Sequence, residues 1–328
     1  MLEQIITDFA KCRLLVIGDL IADEFVYGRI ARISREAPVM ILEYEKTQLL
    51  PGGAANAAAN IAALGGKVTI CGFLGKDRSG RALNLSLKQL GVVCKLVTVP
   101  GYVTPTKTRI LAGSAHSTRQ QVIRIDREPK ATPGFEFLDR LRSEVAATVN
   151  TVDAVVVSDY NYGAIGDDVV TLLRDVDRRV PVLVDSRHRL KLFAGVTAAT
   201  PNHAELEELL KREVFSEEEV VCAGKQLREE LGLKALLLTR GSEGMSLFLP
   251  DGSATKFDAV GSLDPVDVTG AGDTVMAAFA LAIAAGATFK DAANIANHAG
   301  GIVVMKRATA TVTQAELLES VRRECRWR

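Results

Sequence analysis

An α/β fold, with a mostly parallel central sheet flanked by helices and a small β-sheet projecting from it as a lid, is predicted by three observations. Short, continuous apolar runs alternate with helical patterns along most of the chain. Runs of that kind belong to strands covered on both faces, hence to parallel sheets with crossover helices. Four of the runs end in a polar residue, and ligands of such sheets bind beyond the carboxyl ends of the strands. Two stretches replace this rhythm with period-two alternation, the pattern of exposed antiparallel strands.

Taken in order, residues 1–9 read as a short amphipathic helix and residues 13–19 as a buried strand ending at Asp19. An Ala-rich helix over 54–64, a strand over 67–72 and a helix over 79–90 follow. Residues 154–159, 182–185 and 235–239 are three further buried strands. Asp19, Asp159, Asp185 and Thr239 end four of these strands and would line one edge together. The alternating stretches lie within residues 24–50 and 93–127 and form the expected lid. Its strand edges invite pairing between subunits, so a homodimer is expected. With no internal repeat and no low-complexity linker, residues 1–328 are expected to form a single domain.

Composition narrows the function. Lys plus Arg and Asp plus Glu both number 40, so the net charge is zero and the footprint of a nucleic-acid binder is missing. No apolar run of roughly 20 residues predicts a membrane span. The acidic, short first segment does not read as a signal peptide, which predicts a soluble, cytoplasmic protein. Cys12, Cys71, Cys94, Cys222 and Cys325 never fall in a CxxC spacing, so neither a disulfide framework nor a zinc site is expected. Most of them are expected to be buried thiols. His116, His188, His203 and His298 form no metal-ligand spacing.

The segment Asp267-Val268-Thr269-Gly270-Ala271-Gly272-Asp273-Thr274 carries the most chemistry. It is a glycine-rich turn opening into a small, apolar helix. Amides at a helix start lack intrahelical partners and sit at the positive end of the helix dipole, which makes an anion site. Asp273 in that turn admits two roles: an N-cap, or a base taking a proton from an attacking hydroxyl while the amides hold a phosphoryl group.

Four ordered motifs resemble the PfkB (ribokinase-like) carbohydrate kinases: residues 51–65, residues 267–273, Asn202-His203-Ala204-Glu205, and Thr239-Arg240-Gly241-Ser242-Glu243-Gly244. The resemblance covers essentially the whole chain and implies a Rossmann-like ribokinase fold. Further segments are similar to the branch represented by the kinase part of bacterial heptose 7-phosphate kinase/ADP-heptose synthase, which serves lipopolysaccharide precursors. They are residues 32–39, 104–109, 120–126, Ser158-Asp159-Tyr160 and 309–312. The chain ends soon after the kinase motifs, so an adenylyltransferase module is not expected in it. Three departures from the branch stand out: Tyr162 where it has Lys, Asp185-Ser186-Arg187 where it has Asp-Pro-Lys, and an altered 307–312 segment.

The resemblance implies an ATP- and Mg2+-dependent sugar kinase. Asp273 would be the catalytic base, at its ordinary pKa of about 4, with Gly270, Ala271 and Gly272 as the anion hole. Asp19 and Asp23 suit vicinal sugar hydroxyls, Gly52 and Gly53 permit close backbone approach, and Asn56 offers a donor and an acceptor. Asn202 and Glu205, one helical turn apart, would hold the Mg2+ hydration shell. Thr239, Gly241 and Gly244 would border the nucleotide phosphates and ribose, and Asn297 the adenine. Asp267 and Thr269 match nucleotide-side and monovalent-cation (K+) positions. A phosphorylated sugar needs a cationic clamp, for which Lys107, Arg109, Arg124 and Arg187 are the candidates, with Asp185 beside them. The acceptor implied is the anomeric hydroxyl of a heptose 7-phosphate. A fructokinase, ribokinase or nucleoside kinase, and a non-catalytic sugar or nucleotide sensor, are the alternatives.

Overall fold

The structure is a computed structural model that describes residues 1–113, 119–177, 179–262 and 264–327, the side chains of 324–327 excepted. His116 and the Cys325 side chain lie outside the described residues. After helix α1 (Leu2–Asp8), strand β1 (Arg13–Gly18) enters the main sheet as the third strand from one edge. The chain then leaves that sheet along β2 (Leu20–Ile33) and returns along β3 (Met40–Gly53), which runs directly into α2 (Ala54–Ala63). Next come β4 (Lys67–Gly75), α3 (Arg78–Gln89), β5 (Val93–Val99), β6 (Thr106–Gly113), β7 (Gln120–Arg127), α4 (Phe135–Val149), β8 (Ala154–Asp159), α5 (Asp167–Val176) and β9 (Val182–Ser186). The last part holds β10 (Ala198–Ala199), α6 (His203–Leu210), α7 (Glu217–Glu230), β11 (Ala235–Thr239), β12 (Met245–Phe248), β13 (Ala254–Phe257), α8 (Ala271–Ala284), α9 (Phe289–Val303) and α10 (Gln314–Trp327).

The nine-stranded main sheet has the order β13-β12-β11-β10-β9-β8-β1-β4-β5, parallel except for the β11-β12-β13 edge. Its strands are apolar throughout because each divides its side chains between two cores. Leu14, Val16, Val156 and Leu237 pack with α2, α8 and α9 on one face. Leu15, Ile17, Val157 and Leu238 pack with α4, α5 and α7 on the other. This is the parallel α/β architecture that the alternating runs predict, in the ribokinase-like form that the resemblance implies.

The lid is a four-stranded sheet of order β3-β2-β6-β7. Its composition corrects the expected boundaries: the first lid segment runs from Leu20 to Gly53, the second begins at Thr106, and β5 is an edge strand of the main sheet, parallel to β4. An edge strand with one half-covered face alternates much as a lid strand does, which is why 93–99 reads the same way in sequence. Two of the cysteines also depart from expectation. Cys12 and Cys71 are buried, whereas Cys94 is half-buried and Cys222 is exposed on the outer side of α7. Among the described residues no helix is long and apolar enough to cross a membrane.

Candidate active site

The carboxyl ends of β8, β9 and β11, the lid strands β2 and β6, and the N-terminus of α8 enclose a cleft of about 510 Å³. A second cavity of about 190 Å³ lies on the far side of α8, bounded by Gly244, Val260, Val275, Asn297 and Val304. The two cavities share Thr239, Val268, Ala271 and Gly272 in their walls. They therefore meet at the first turn of α8.

That turn is built by Gly270. It caps α8 with φ +75°, and a Cβ there would stand 2.5 Å from Asn56 Nδ2. Only glycine meets both conditions without strain. Gly272 and Asp273 have backbone amides with no acceptor among the described residues, as expected at a helix start. Asp273 is buried at the floor of the cleft. Its Oδ2 accepts from Asn56 Nδ2 at 3.0 Å and its Oδ1 from the Tyr160 hydroxyl at 3.3 Å. Burial pushes its carboxyl up to about 7; the Asn56 hydrogen bond works against that rise, while the charge of Asp23 adds to it. The expected ordinary carboxylate range is thus corrected, in the direction that suits a base working near neutrality.

Several residues expected to touch substrate are committed elsewhere. The Asp19 carboxylate lies beneath the β8 loop and accepts the backbone N–H groups of Tyr160, Tyr162 and Ala164 at 2.8 to 3.0 Å. It does not line the cleft, so its place is that of a loop anchor. Asn56 is spent on Asp273 and on the Gly270 carbonyl, and is itself gripped by Asn60 Nδ2 at 3.0 Å. It too is absent from the cleft wall. Gly52 backs onto the Asp23 carboxylate, leaving Gly53 as the glycine of this pair in the wall. Asp267 accepts the amides of Thr269 and Ala308, each at 2.9 Å, and so fastens the α8 turn to the 307–312 segment; Thr269 lines the cleft.

Asp23 does face the cleft, bound to Arg109 Nη1 at 2.6 Å and to the Thr309 hydroxyl at 2.9 Å. Arg109 is neutralised by that contact. Arg124 is likewise paired, with Asp126. Lys107 and Arg187 are different. Lys107 is buried in the cleft wall, 5.1 Å above the Tyr160 ring, with no carboxylate partner among the described residues. Its pKa is lowered by burial and by the nearby charges of Arg124 and Arg187. Arg187 lines the same wall; its side chain has no hydrogen-bond or ion-pair partner among the described residues, and its charge acts on the nearby Asp185 and Glu205 carboxyls. Beside it, Asp185 has no hydrogen-bond donor among the described residues, and burial together with Glu205 and Asp273 raises its pKa well above the usual range.

Asn202 and Glu205 form a reciprocal capping box on α6: Oδ1 accepts the Glu205 amide at 2.9 Å, and Glu205 Oε2 accepts the Asn202 amide at 3.0 Å. The Asn-x-x-Glu spacing is thus also a helix start. Glu205 keeps its other oxygen for the cleft, and the buried Thr200 hydroxyl in the same wall has no hydrogen-bond partner among the described residues. Among the described residues no three His, Cys, Asp or Glu side chains converge to ligate an ion directly. This donor set fits a magnesium ion held through its waters and the nucleotide phosphates. In the second cavity, Gly241 (φ +57°) and Gly244 (φ +81°) shape the loop after β11. Asn297 donates Nδ2 to the Asp258 carbonyl at 2.7 Å, which leaves its Oδ1 for a ligand. Tyr160, Thr200 and Thr309 are site residues to which sequence reasoning gives no role; the signals for Tyr160 are its place in the Ser158-Asp159-Tyr160 segment of the resemblance and just after a strand that ends at the ligand edge.

Comparison with known proteins agrees with this geometry. The Bifunctional protein HldE of Edwardsiella ictaluri is 39% identical over 318 residues, covering 96% of this chain and 64% of its own length. That of Pectobacterium atrosepticum is 40% identical over 319 residues, covering 96% and 64%. The chain thus spans a little under two thirds of these relatives. Among solved structures, a ribokinase from Arabidopsis thaliana complexed with ribose and ATP superposes with a TM-score of 0.73 at 22% identity, over 94% of this chain and 98% of that one. Phosphofructokinase-2 of Escherichia coli, in complex with potassium, superposes with a TM-score of 0.76 at 17% identity, over 95% and 99%. The model of the pfkB family of carbohydrate kinases matches residues 13–316, and the chain belongs to that family.

Proposed function

We propose that this kinase transfers the γ-phosphoryl group of ATP to the anomeric hydroxyl of a heptose 7-phosphate, giving the 1,7-bisphosphate. The observation that carries the reading is the meeting of the two cavities at the first turn of α8. ATP occupies the smaller cavity with its γ-phosphate on the Gly272 and Asp273 amides, and the sugar occupies the cleft. Asp273 accepts the proton of the attacking hydroxyl. The new O–P bond forms as the bond from Pγ to the β,γ-bridging oxygen breaks, and ADP leaves. A magnesium ion would supply positive charge to the phosphates, and Glu205 and Thr200 are the residues that would hold its hydration shell.

Lys107 and Arg187 support a phosphorylated acceptor. Two cations with no carboxylate hydrogen-bonded to them among the described residues, on one wall, favour an anion, and the far phosphate of the sugar supplies it. Their distribution also bears on the branch: Tyr162, which replaces the branch lysine, turns away to donate to Glu128 Oε1 at 2.7 Å, so Arg187 takes over the positive charge. We further place the protein in the cytoplasm as a homodimer joined through the lid, whose outer part exposes Ile33, Met40, Tyr44 and Ile123. A potassium ion beside the Asp267–Thr269 turn is the monovalent cation we assign.

The test is ADP release with Mg2+ and ATP against heptose 7-phosphate, fructose, fructose 6-phosphate, ribose and adenosine, wild type beside Asp273→Asn. Turnover of the heptose phosphate alone, lost about 10³-fold or more in the variant, is expected. Turnover of another member keeps the chemistry and discards the heptose. Turnover undiminished in the variant overturns the base.

A further inference from the structure

Asp273 is held from two sides, and only one of them is read from the glycine-rich motifs. Asn56 fixes Oδ2, while the donor to Oδ1 is a phenol from a loop 113 residues away in sequence. That loop is fastened to buried carboxylates at several points. Three of its amides converge on the buried Asp19 carboxylate. Asn161 sits at φ +64° with its amide on Asp159 Oδ1, and Asp159 is in turn clamped by Ser186 Oγ at 2.7 Å and by Arg189. Two buried carboxylates therefore shape a loop whose one side chain aimed at the base is Tyr160. The other face of its ring is covered by Lys107. Nothing else in the loop needs the hydroxyl: Tyr160 has no second hydrogen-bond partner among the described residues.

We propose that Tyr160 is a positioning residue for the base, its hydroxyl holding Oδ1 of Asp273 so that the remaining lone pairs face the acceptor hydroxyl. The inference rests on the reading of Asp273 as the base. A donor to an ionised carboxylate favours the ionised form, so the same contact sets the pH at which the base becomes available. The other groups facing Asp273 are Asp23 from β2, Lys107 from β6, Asp185 from β9 and the neutral Asn56 from α2. None of these is altered when the phenol alone loses its hydroxyl. Lys107 links the same ring to the wall that receives the anionic end of the acceptor, so the tyrosine stands between the clamp and the chemistry.

The experiment is Tyr160→Phe, with two readouts. The first needs no acceptor: the Asp273 carboxyl is titrated by ¹³C NMR in aspartate-labelled protein, its signal assigned by its loss in Asp273→Asn. The midpoint is expected to rise by about one pH unit, the equivalent of one charge-assisted hydrogen bond. The second is kinetic. The acid limb of kcat moves up with that midpoint, kcat at pH 7 falls about fivefold as the ionised fraction drops, and the KM values for ATP and acceptor stay within about threefold. In the Asp273→Asn background, where no base remains to be held, Tyr160→Phe adds no further loss to the residual rate. An unchanged midpoint with an unchanged acid limb overturns the proposal, as does an equal further loss in the Asn background, which is the signature of a packing role. A shifted midpoint without turnover of any sugar leaves Tyr160 in place and removes only the assigned acceptor.

Discussion

Replacing Gly270 by alanine tests whether the α8 turn and the Asn56 clamp form one unit. The new Cβ would lie 2.5 Å from Asn56 Nδ2 and 3.0 Å from Thr309 Cγ2, at a residue whose φ is +75°. The left-handed backbone alone costs about 1 kcal/mol for a residue with a Cβ. Asn56 must then swing out of contact, forfeiting its bonds to the Gly270 carbonyl and to Asp273. One neutral and one charge-assisted hydrogen bond are together worth about 2–4 kcal/mol. The sum is about 3–5 kcal/mol, and a melting temperature lower by roughly 10 °C is expected in a protein of this size. Differential scanning calorimetry measures the first effect and steady-state kinetics the second, a fall in kcat of about 10- to 100-fold. Asn56→Ala supplies the control. It gives up the same bonds without the clash, so Gly270→Ala should add only about 1 kcal/mol of backbone strain in that background rather than its full effect. A Gly270→Ala enzyme that melts within about 1 °C of wild type, or effects that add fully in the double variant, would refute the reasoning.

Three further outcomes are expected. Because only ionised Asp273 accepts a proton and its pKa is raised to about 7, kcat/KM rises with pH up to and through neutrality; at pH 6 it stands at about a tenth of its plateau. A pH–rate profile flat down to pH 5 would contradict this. Lys107→Met and Arg187→Ala should each raise KM for a phosphorylated acceptor about 10- to 100-fold while sparing KM for ATP; equal effects on an unphosphorylated sugar would remove the clamp. Asp19→Asn, which turns an acceptor of three amides into a mixed donor and acceptor, should destabilise the fold by about 2–4 kcal/mol and lower kcat. A raised acceptor KM with unchanged stability would instead return Asp19 to the substrate.

The parallel core was legible because its strands are buried on both faces and so carry no alternation: residues 154–159 and 235–239 read as strands at sight. The lid was legible in kind and not in extent. β2 begins with Leu20, Ile21 and Ala22, as apolar as any core strand, because its first residues are still covered by the main body before the strand emerges. Register does the rest: β2 pairs with β6 in parallel and with β3 antiparallel, a long-range choice that no local pattern encodes.

The site divides along the same line, and the aspartates show where. Asp19, Asp23, Asp159, Asp185, Asp267 and Asp273 all lie at or near the ligand edge, and residue type alone ranks none of them. What separates them is the donors that the folded chain brings to each. Asp19 collects three backbone amides, Asp267 two, and Asp159 a hydroxyl and a guanidinium; these three are structural braces with their lone pairs spent. Asp23 is shared between the lid arginine and Thr309. Asp273 alone is held by one neutral side-chain donor on each oxygen while facing both the cleft and the α8 amides. A base must be held firmly enough to point and weakly enough to take a proton. Two neutral donors in a buried site meet that condition, where an arginine would pin the carboxylate as a permanent anion. The glycines of the α8 turn announce Asp273 in sequence, because a helix start is a local event. The donors that make it a base come from α2 and from the β8 loop, more than 110 residues upstream, and only the fold brings them together.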